Sequence, residues 1–152
     1  MDETADQLSD EEVLAAFPTA QIDEDSIEHY RGRLQQRLMI NRCRNCNAWH
    51  HPPRHFCPAC WSADVGAVEV RGDGVVELST VLHVGTPKPD IDYTAGYQLC
   101  AVRLDEAPTV RVTAPLRDMP VGVEATGLRV RLAWSSRDGS PLPVFVPVED
   151  VK

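Results

Sequence analysis

Four cysteines confined to eighteen residues constrain this chain more than anything else in it. Cys43 and Cys46 form one CxxC pair, Cys57 and Cys60 a second, and ten residues separate them. A CxxC turn aims two thiolates at one point, and two such turns supply four sulfurs for a tetrahedral ion. Zn²⁺ is the favoured occupant, although soft thiolates also accept iron in a rubredoxin-type site. Disulfides would require an oxidising compartment. The opening "MDETADQLSDEE" is acidic with no apolar core, so it does not read as a secretory signal, and a cytoplasmic setting is expected.

Four thiolates fill the coordination shell. A catalytic zinc keeps an open position for water or substrate, so the expected role of this metal is structural. His50, His51 and His55 lie inside the cysteine loop and are read as surface or packing residues. Asn47, directly after the first pair, suits the left-handed turn that such a knuckle needs. The fifth cysteine, Cys100, falls in an expected strand and reads as a small buried hydrophobe.

Charge is unevenly spread. Residues 1–30 hold ten acidic side chains and no Lys or Arg, whereas residues 31–63 hold six arginines and no acid. From residue 31 onward the chain carries 15 basic against 13 acidic groups, so the net −8 belongs to the head. Binding of nucleic acid through phosphate neutralisation is therefore disfavoured. Guanidinium groups suit bidentate contacts to phosphate or carboxylate, which makes Arg42, Arg44 and Arg54 candidates for contacts to an anionic ligand or a partner.

Hydrophobic periodicity divides the chain into an acidic head (1–24, helical or partly disordered), a helix plus cysteine module (25–65), and a β-rich remainder (66–152). Ser9 and Glu12 form a capping-box signature ahead of Val13, Leu14 and Phe17, and Pro18 ends that helix. A second helix, capped by Asp25 or Ser26, carries Ile27, Tyr30 and Leu34, with Gly32 as a weak point. Leu38, Met39 and Ile40 read as a strand entering Cys43. Beyond the cysteines, 75–84, 96–104, 109–112, 128–134 and 144–148 read as five short strands punctuated by Gly, Pro and Asp. The expected fold is mainly β, with N-terminal helices, a rubredoxin-like zinc ribbon and a C-terminal five-stranded OB-fold barrel.

No catalytic set accompanies these features. The sequence has no GxSxG, P-loop or Rossmann fingerprint, and no run approaches the ~20 apolar residues that cross a bilayer. Asp90, Asp92, Asp105 and Glu106 fall in loops where solvated carboxylates are the ordinary outcome. No catalytic residue is assigned.

The run "HYRGRLQQRLMINRCRNCNAWHHPPRHFCPACWS" resembles the acyl-CoA-associated zinc-ribbon/OB-fold family, domain of unknown function number 35. The matching residues are Tyr30 and Gly32, then Leu38, Ile40, Arg42 and Cys43. Pro52, Pro53 and Arg54 follow, then Cys57, Pro58, Cys60 and Ser62. "RGDGVVELSTVLH", "GLRVRLAW" and "LPVFVP" resemble its later strands, so the likeness covers about residues 27–148. Asn47 stands where the family usually has Gly, and residues 1–24 have no counterpart. The resemblance implies a non-catalytic subunit of a hetero-oligomer, beside a thiolase-like enzyme or a lipid-transfer-protein-type aldolase. It also implies acyl-CoA as ligand of the complex and, in steroid or lipid side-chain degradation, a MaoC-like hydratase as a further partner. A single-stranded nucleic-acid-binding module is the alternative that ribbons and OB barrels allow.

Overall fold

The structure is a computed structural model that describes residues 7–151; the head before Gln7 lies outside them. The chain forms two compact units, one of residues up to Glu69 with Asp138–Pro141, the other of Val70–Arg137 with residues from Leu142 onward. Among the described residues no helix is long and apolar enough to cross a membrane.

In the first unit, α1 (Asp10–Ala16) starts at a complete capping box: Ser9 accepts from the Glu12 amide, and Glu12 accepts from the Ser9 amide. Its inner face buries Val13, and Phe17 tilts against Tyr30 at 5.1 Å between ring centroids. The helix α2 (Ile27–Leu34) begins after Ser26, but the Ser26 hydroxyl gives it no cap. Ser26 instead turns back to the Asp23 carboxylate at 2.8 Å, so Asp23 organises the entry that Asp25 or Ser26 was expected to make. Arg31 is almost fully buried and gathers Asp10, Glu28 and the Leu8 carbonyl, which ties the acidic head to α2. Gly32 is a close-approach site and no weak point: a Cβ there would lie 2.7 Å from the Arg37 carbonyl oxygen and would collide with Met39.

Three strands complete this unit: β1 (Leu38–Cys43), β2 (Trp49–His50) and β3 (Val65–Val70), in the order β2-β1-β3. Leu38 and Ile40 alternate into the core, as period-2 patterning requires. Asn41 stands opposite His50, and Arg42 opposite Trp49.

The second unit is built on β4 (Gly74–Leu82), β5 (Tyr97–Leu104), β6 (Arg111–Pro115), β7 (Arg129–Arg137) and β8 (Ser140–Pro147), in the sheet order β6-β5-β4-β7-β8. Val76, Val102, Leu104, Val112, Val130, Val144 and Phe145 supply its buried face. Asp138 and Gly139, both with positive φ, make the two-residue turn between β7 and β8, the geometry that matches strand twist. Cys100 is 2% exposed, its thiol faces the Ala114 carbonyl at 3.5 Å, and burial pushes its pKa up to about 12. It is an inert core residue.

The expected closed OB barrel is not formed. Five strands are present, but the two edges meet only just past β6, where Leu116 makes one isolated parallel bridge to Phe145 of β8 and the Arg117 amide donates to the Phe145 carbonyl at 2.9 Å. The cause is legible in β8. Residues whose backbone faces the free edge as that of Phe145 does are odd-numbered, and three of these, Pro141, Pro143 and Pro147, have no N–H to donate. On the opposing edge β6 is five residues long and ends on Pro115. A continuous ladder cannot form, so the sheet stays open.

Candidate metal centre

The four cysteine sulfurs converge at the end of β1. All lie within 4.8 Å of one another, with Cys43–Cys60 at 3.7 Å and Cys46–Cys57 at 3.6 Å. A metal–sulfur bond of about 2.3 Å puts tetrahedral sulfurs about 3.8 Å apart, so the spacing fits a single bound ion. The donor set, four soft sulfurs, suits zinc or iron. Among the described residues no other group of His, Cys, Asp or Glu has such geometry.

Two knuckles of matching construction build the site. In the first, the Asn47 amide donates to the Cys43 carbonyl and the Cys43 amide to the Ala48 carbonyl, both at 2.9 Å. In the second, the Trp61 amide donates to the Cys57 carbonyl at 2.8 Å and the Cys57 amide to the Ser62 carbonyl at 2.9 Å. Each turn also aims an amide at its first sulfur, Cys46 to Cys43 and Ala59 to Cys57, both at 3.4 Å. The Asn45 side chain, then the Ser62 backbone, hold Cys60 down at about 6.

The histidines in the loop stand apart from the sulfurs. His50 is buried with neither ring nitrogen hydrogen-bonded among the described residues, and His55 faces Asp25 at 3.3 Å on the surface. His51 packs against His29, rings 5.5 Å apart, while His29 Nδ1 meets the Met39 carbonyl at 3.1 Å. Burial, with His29 and His50 nearby, pushes His51 down to about 4; burial also lowers His29. The rings of His29 and His51 are packed as neutral imidazoles.

The three candidate arginines do not form one cluster. Arg42 lies over Trp49 at 4.7 Å from the ring and donates to the Asn47 carbonyl at 3.2 Å. Arg44 pairs with Asp64 at 2.8 Å and covers Gly66. Arg54 is exposed and has no hydrogen bond or ion pair among the described residues. The loop carboxylates of the second unit are structural. Asp105 takes a bidentate grip from Arg129 at 2.8 and 2.6 Å, which holds its pKa below the usual range. Asp90 pairs with Arg137 at 2.9 Å, Asp92 accepts from the Thr94 amide at 2.9 Å, and Glu106 from the Arg71 amide at 2.6 Å.

One residue escaped the sequence reading. Trp61 follows the second CxxC as Asn47 follows the first, and both have φ of 64°. This left-handed backbone costs an ordinary L residue roughly 1–2 kcal/mol. Trp61 is also 78% exposed, and Phe56, on the other flank of the same knuckle, is 49% exposed. Its position after Cys60, equivalent to that of Asn47, was the signal that could have found it.

A four-cysteine ribbon in one unit and an open antiparallel sheet in the other define a zinc-ribbon protein of two units. Residues 31–66 match the family described as "ChsH2, rubredoxin-like zinc ribbon domain". The "Ltp2-ChsH2(DUF35) aldolase" contains a chain that superposes with a TM-score of 0.76 at 32% identity, over 86% of this chain and 99% of that one. A DUF35-family protein of unknown function from Sulfolobus solfataricus shares the fold at 14% identity, with a TM-score of 0.58. In sequence, a probable enoyl-CoA hydratase alpha subunit of Thermomonospora curvata is 34% identical over 142 residues, 93% of this chain. The chain spans 43% of that relative's length. A DUF35 domain-containing scaffold protein of Methanocaldococcus jannaschii is 28% identical over 104 residues, 64% of this chain and 71% of that protein. The chain belongs to the DUF35/ChsH2 zinc-ribbon family.

Proposed function

We propose that this protein is a non-catalytic accessory subunit that binds and stabilises a thiolase-fold acyl-CoA enzyme, a retro-aldolase of the lipid-transfer-protein type, and helps form its acyl-CoA site. The observation that carries this reading is the superposition on the chain of the Ltp2-ChsH2(DUF35) aldolase, which extends over 99% of that chain. The site chemistry is compatible with it. Four sulfurs complete a tetrahedral shell, so a bound ion has no free position for substrate and acts as a structural clamp.

In this reading the ion is zinc, held by Cys43, Cys46, Cys57 and Cys60, and a reducing cytoplasm keeps the thiols available. Zinc supplies rigidity: it fixes both knuckles, and with them the surface residues that flank the sulfurs. Arg42 and Arg44 are engaged within the chain and shape the ribbon, whereas Arg54 is open to a carboxylate or a CoA phosphate. The setting is steroid or lipid side-chain degradation. A MaoC-like hydratase is a further partner, an assignment supported by the likeness to the probable enoyl-CoA hydratase alpha subunit of Thermomonospora.

The test is co-expression with the lipid-transfer-protein-type aldolase of the same organism. Retro-aldol cleavage of a β-hydroxyacyl-CoA by the enzyme subunit should depend on this chain, and the chain alone should turn nothing over. Full activity without the chain would end the proposal.

A further inference from the structure

We infer that the second knuckle is the docking anchor: Trp61, seconded by Phe56 and Arg54, inserts into an apolar recess with a carboxylate at its rim on the aldolase subunit. The inference rests on the accessory-subunit reading above and adds which residues make the contact and what chemistry receives them.

Three independent observations converge on it. Trp61 holds a left-handed backbone at φ 64°, a conformation that glycine adopts freely and tryptophan does not. Folding therefore gains nothing from an indole at this position, and the side chain remains 78% exposed. Strain retained under an exposed aromatic is characteristic of sites shaped for binding. Phe56, immediately before Cys57, adds a second half-exposed ring on the same metal-clamped turn. Rigid aromatic anchors of this kind, with arginine, dominate the energetics of protein interfaces.

Charge specifies the receiving surface. Residues 31–63 contain no Asp or Glu, and several of their arginines are satisfied from outside that stretch: Arg31 by Asp10 and Glu28, Arg37 by Glu69, Arg44 by Asp64. Arg54, two residues before Phe56, has no such carboxylate among the described residues. A partner that covers the knuckle must supply the counter-charge, because a desolvated lone guanidinium is costly.

The two knuckles provide their own control. Trp61→Gly removes the indole and relieves the backbone, and Trp61→Asn copies the residue at the equivalent position of the first knuckle. The chain, wild type or variant, is titrated calorimetrically with the purified aldolase subunit of the same organism, first without and then with acyl-CoA. Trp61→Gly should keep one metal ion per chain and a melting temperature no lower than wild type, while Kd rises at least tenfold. Should Trp61→Gly lose metal, Trp61→Asn decides. Arg54→Glu should weaken binding by a similar factor, and by less as salt is raised. Wild-type binding with a Trp61→Gly Kd within twofold of wild type overturns the anchor and leaves the accessory reading intact. An Arg54→Glu defect seen only with acyl-CoA present assigns that arginine to the ligand and overturns its part. A wild-type homodimer abolished by Trp61→Gly, with aldolase binding unchanged, assigns the patch to self-association and overturns the inference. No wild-type binding at all removes both readings.

Discussion

Asn47 and Trp61 occupy equivalent positions in the two cysteine knuckles: each has φ of 64°, and each donates its amide to the carbonyl of the first cysteine of its pair. Asparagine tolerates this conformation through its short polar side chain, and β-branched residues do not. Asn47→Gly should leave stability within about 1 kcal/mol of wild type, and Asn47→Val should lower it by roughly 1–2 kcal/mol. Urea denaturation of the metal-loaded chain checks both.

Metal content tests the sulfur cluster directly. One tightly held ion per chain is expected, zinc by elemental analysis, and serine at Cys43, Cys46, Cys57 or Cys60 should abolish stoichiometric binding. Chelation should unfold the ribbon, because the strand and turns that bring these sulfurs within 4.8 Å of one another otherwise leave four thiols crowded together. Far-ultraviolet circular dichroism with and without chelator reads the loss.

The His51 environment predicts an acid-side loss of stability. Folding lowers this imidazole from its ordinary 6.5 to about 4, so the unfolded chain binds the proton more tightly. Its contribution is fully present above about pH 6.5 and is lost as pH falls from there towards 4. At about 1.4 kcal/mol per pKa unit the loss is about 3.5 kcal/mol at most. His51→Phe should flatten the dependence of unfolding free energy on pH across that window, and equal slopes in both proteins would contradict the assignment.

Arg31 fastens the head. Its side chain is 8% exposed, but its carboxylate partners Asp10 and Glu28 are largely accessible and re-solvate when released. Arg31→Met should therefore cost only about 1–2 kcal/mol, well short of a fully buried pair. It should selectively raise amide exchange in α1, from Glu12 to Ala16, while the cysteine knuckles stay protected.

The cysteine cluster was legible in the sequence because CxxC turns are local: spacing alone brings two sulfurs together. The capping box at Ser9 and the inert character of Cys100 were legible for similar reasons, short range in one and strand context in the other. Closure of the barrel was not. It depends on two edges distant in sequence, and the alternation of Pro141, Pro143 and Pro147 acquires meaning only once Phe145 is known to face β6. The strands β2 and β3 were also missed, one being two residues long and the other interrupted by Gly66, over which Arg44 folds. Separation of Arg42, Arg44 and Arg54 into a stacked, a paired and an open guanidinium required side-chain contacts that no spacing encodes.

The most direct test of the central claim is size-exclusion chromatography with light scattering on the metal-loaded chain mixed with the purified lipid-transfer-protein-type aldolase subunit of its own organism. A stable hetero-oligomer, with retro-aldol turnover that requires both components, is the predicted result. Separate elution of the two proteins, with the aldolase fully active alone, would contradict the account.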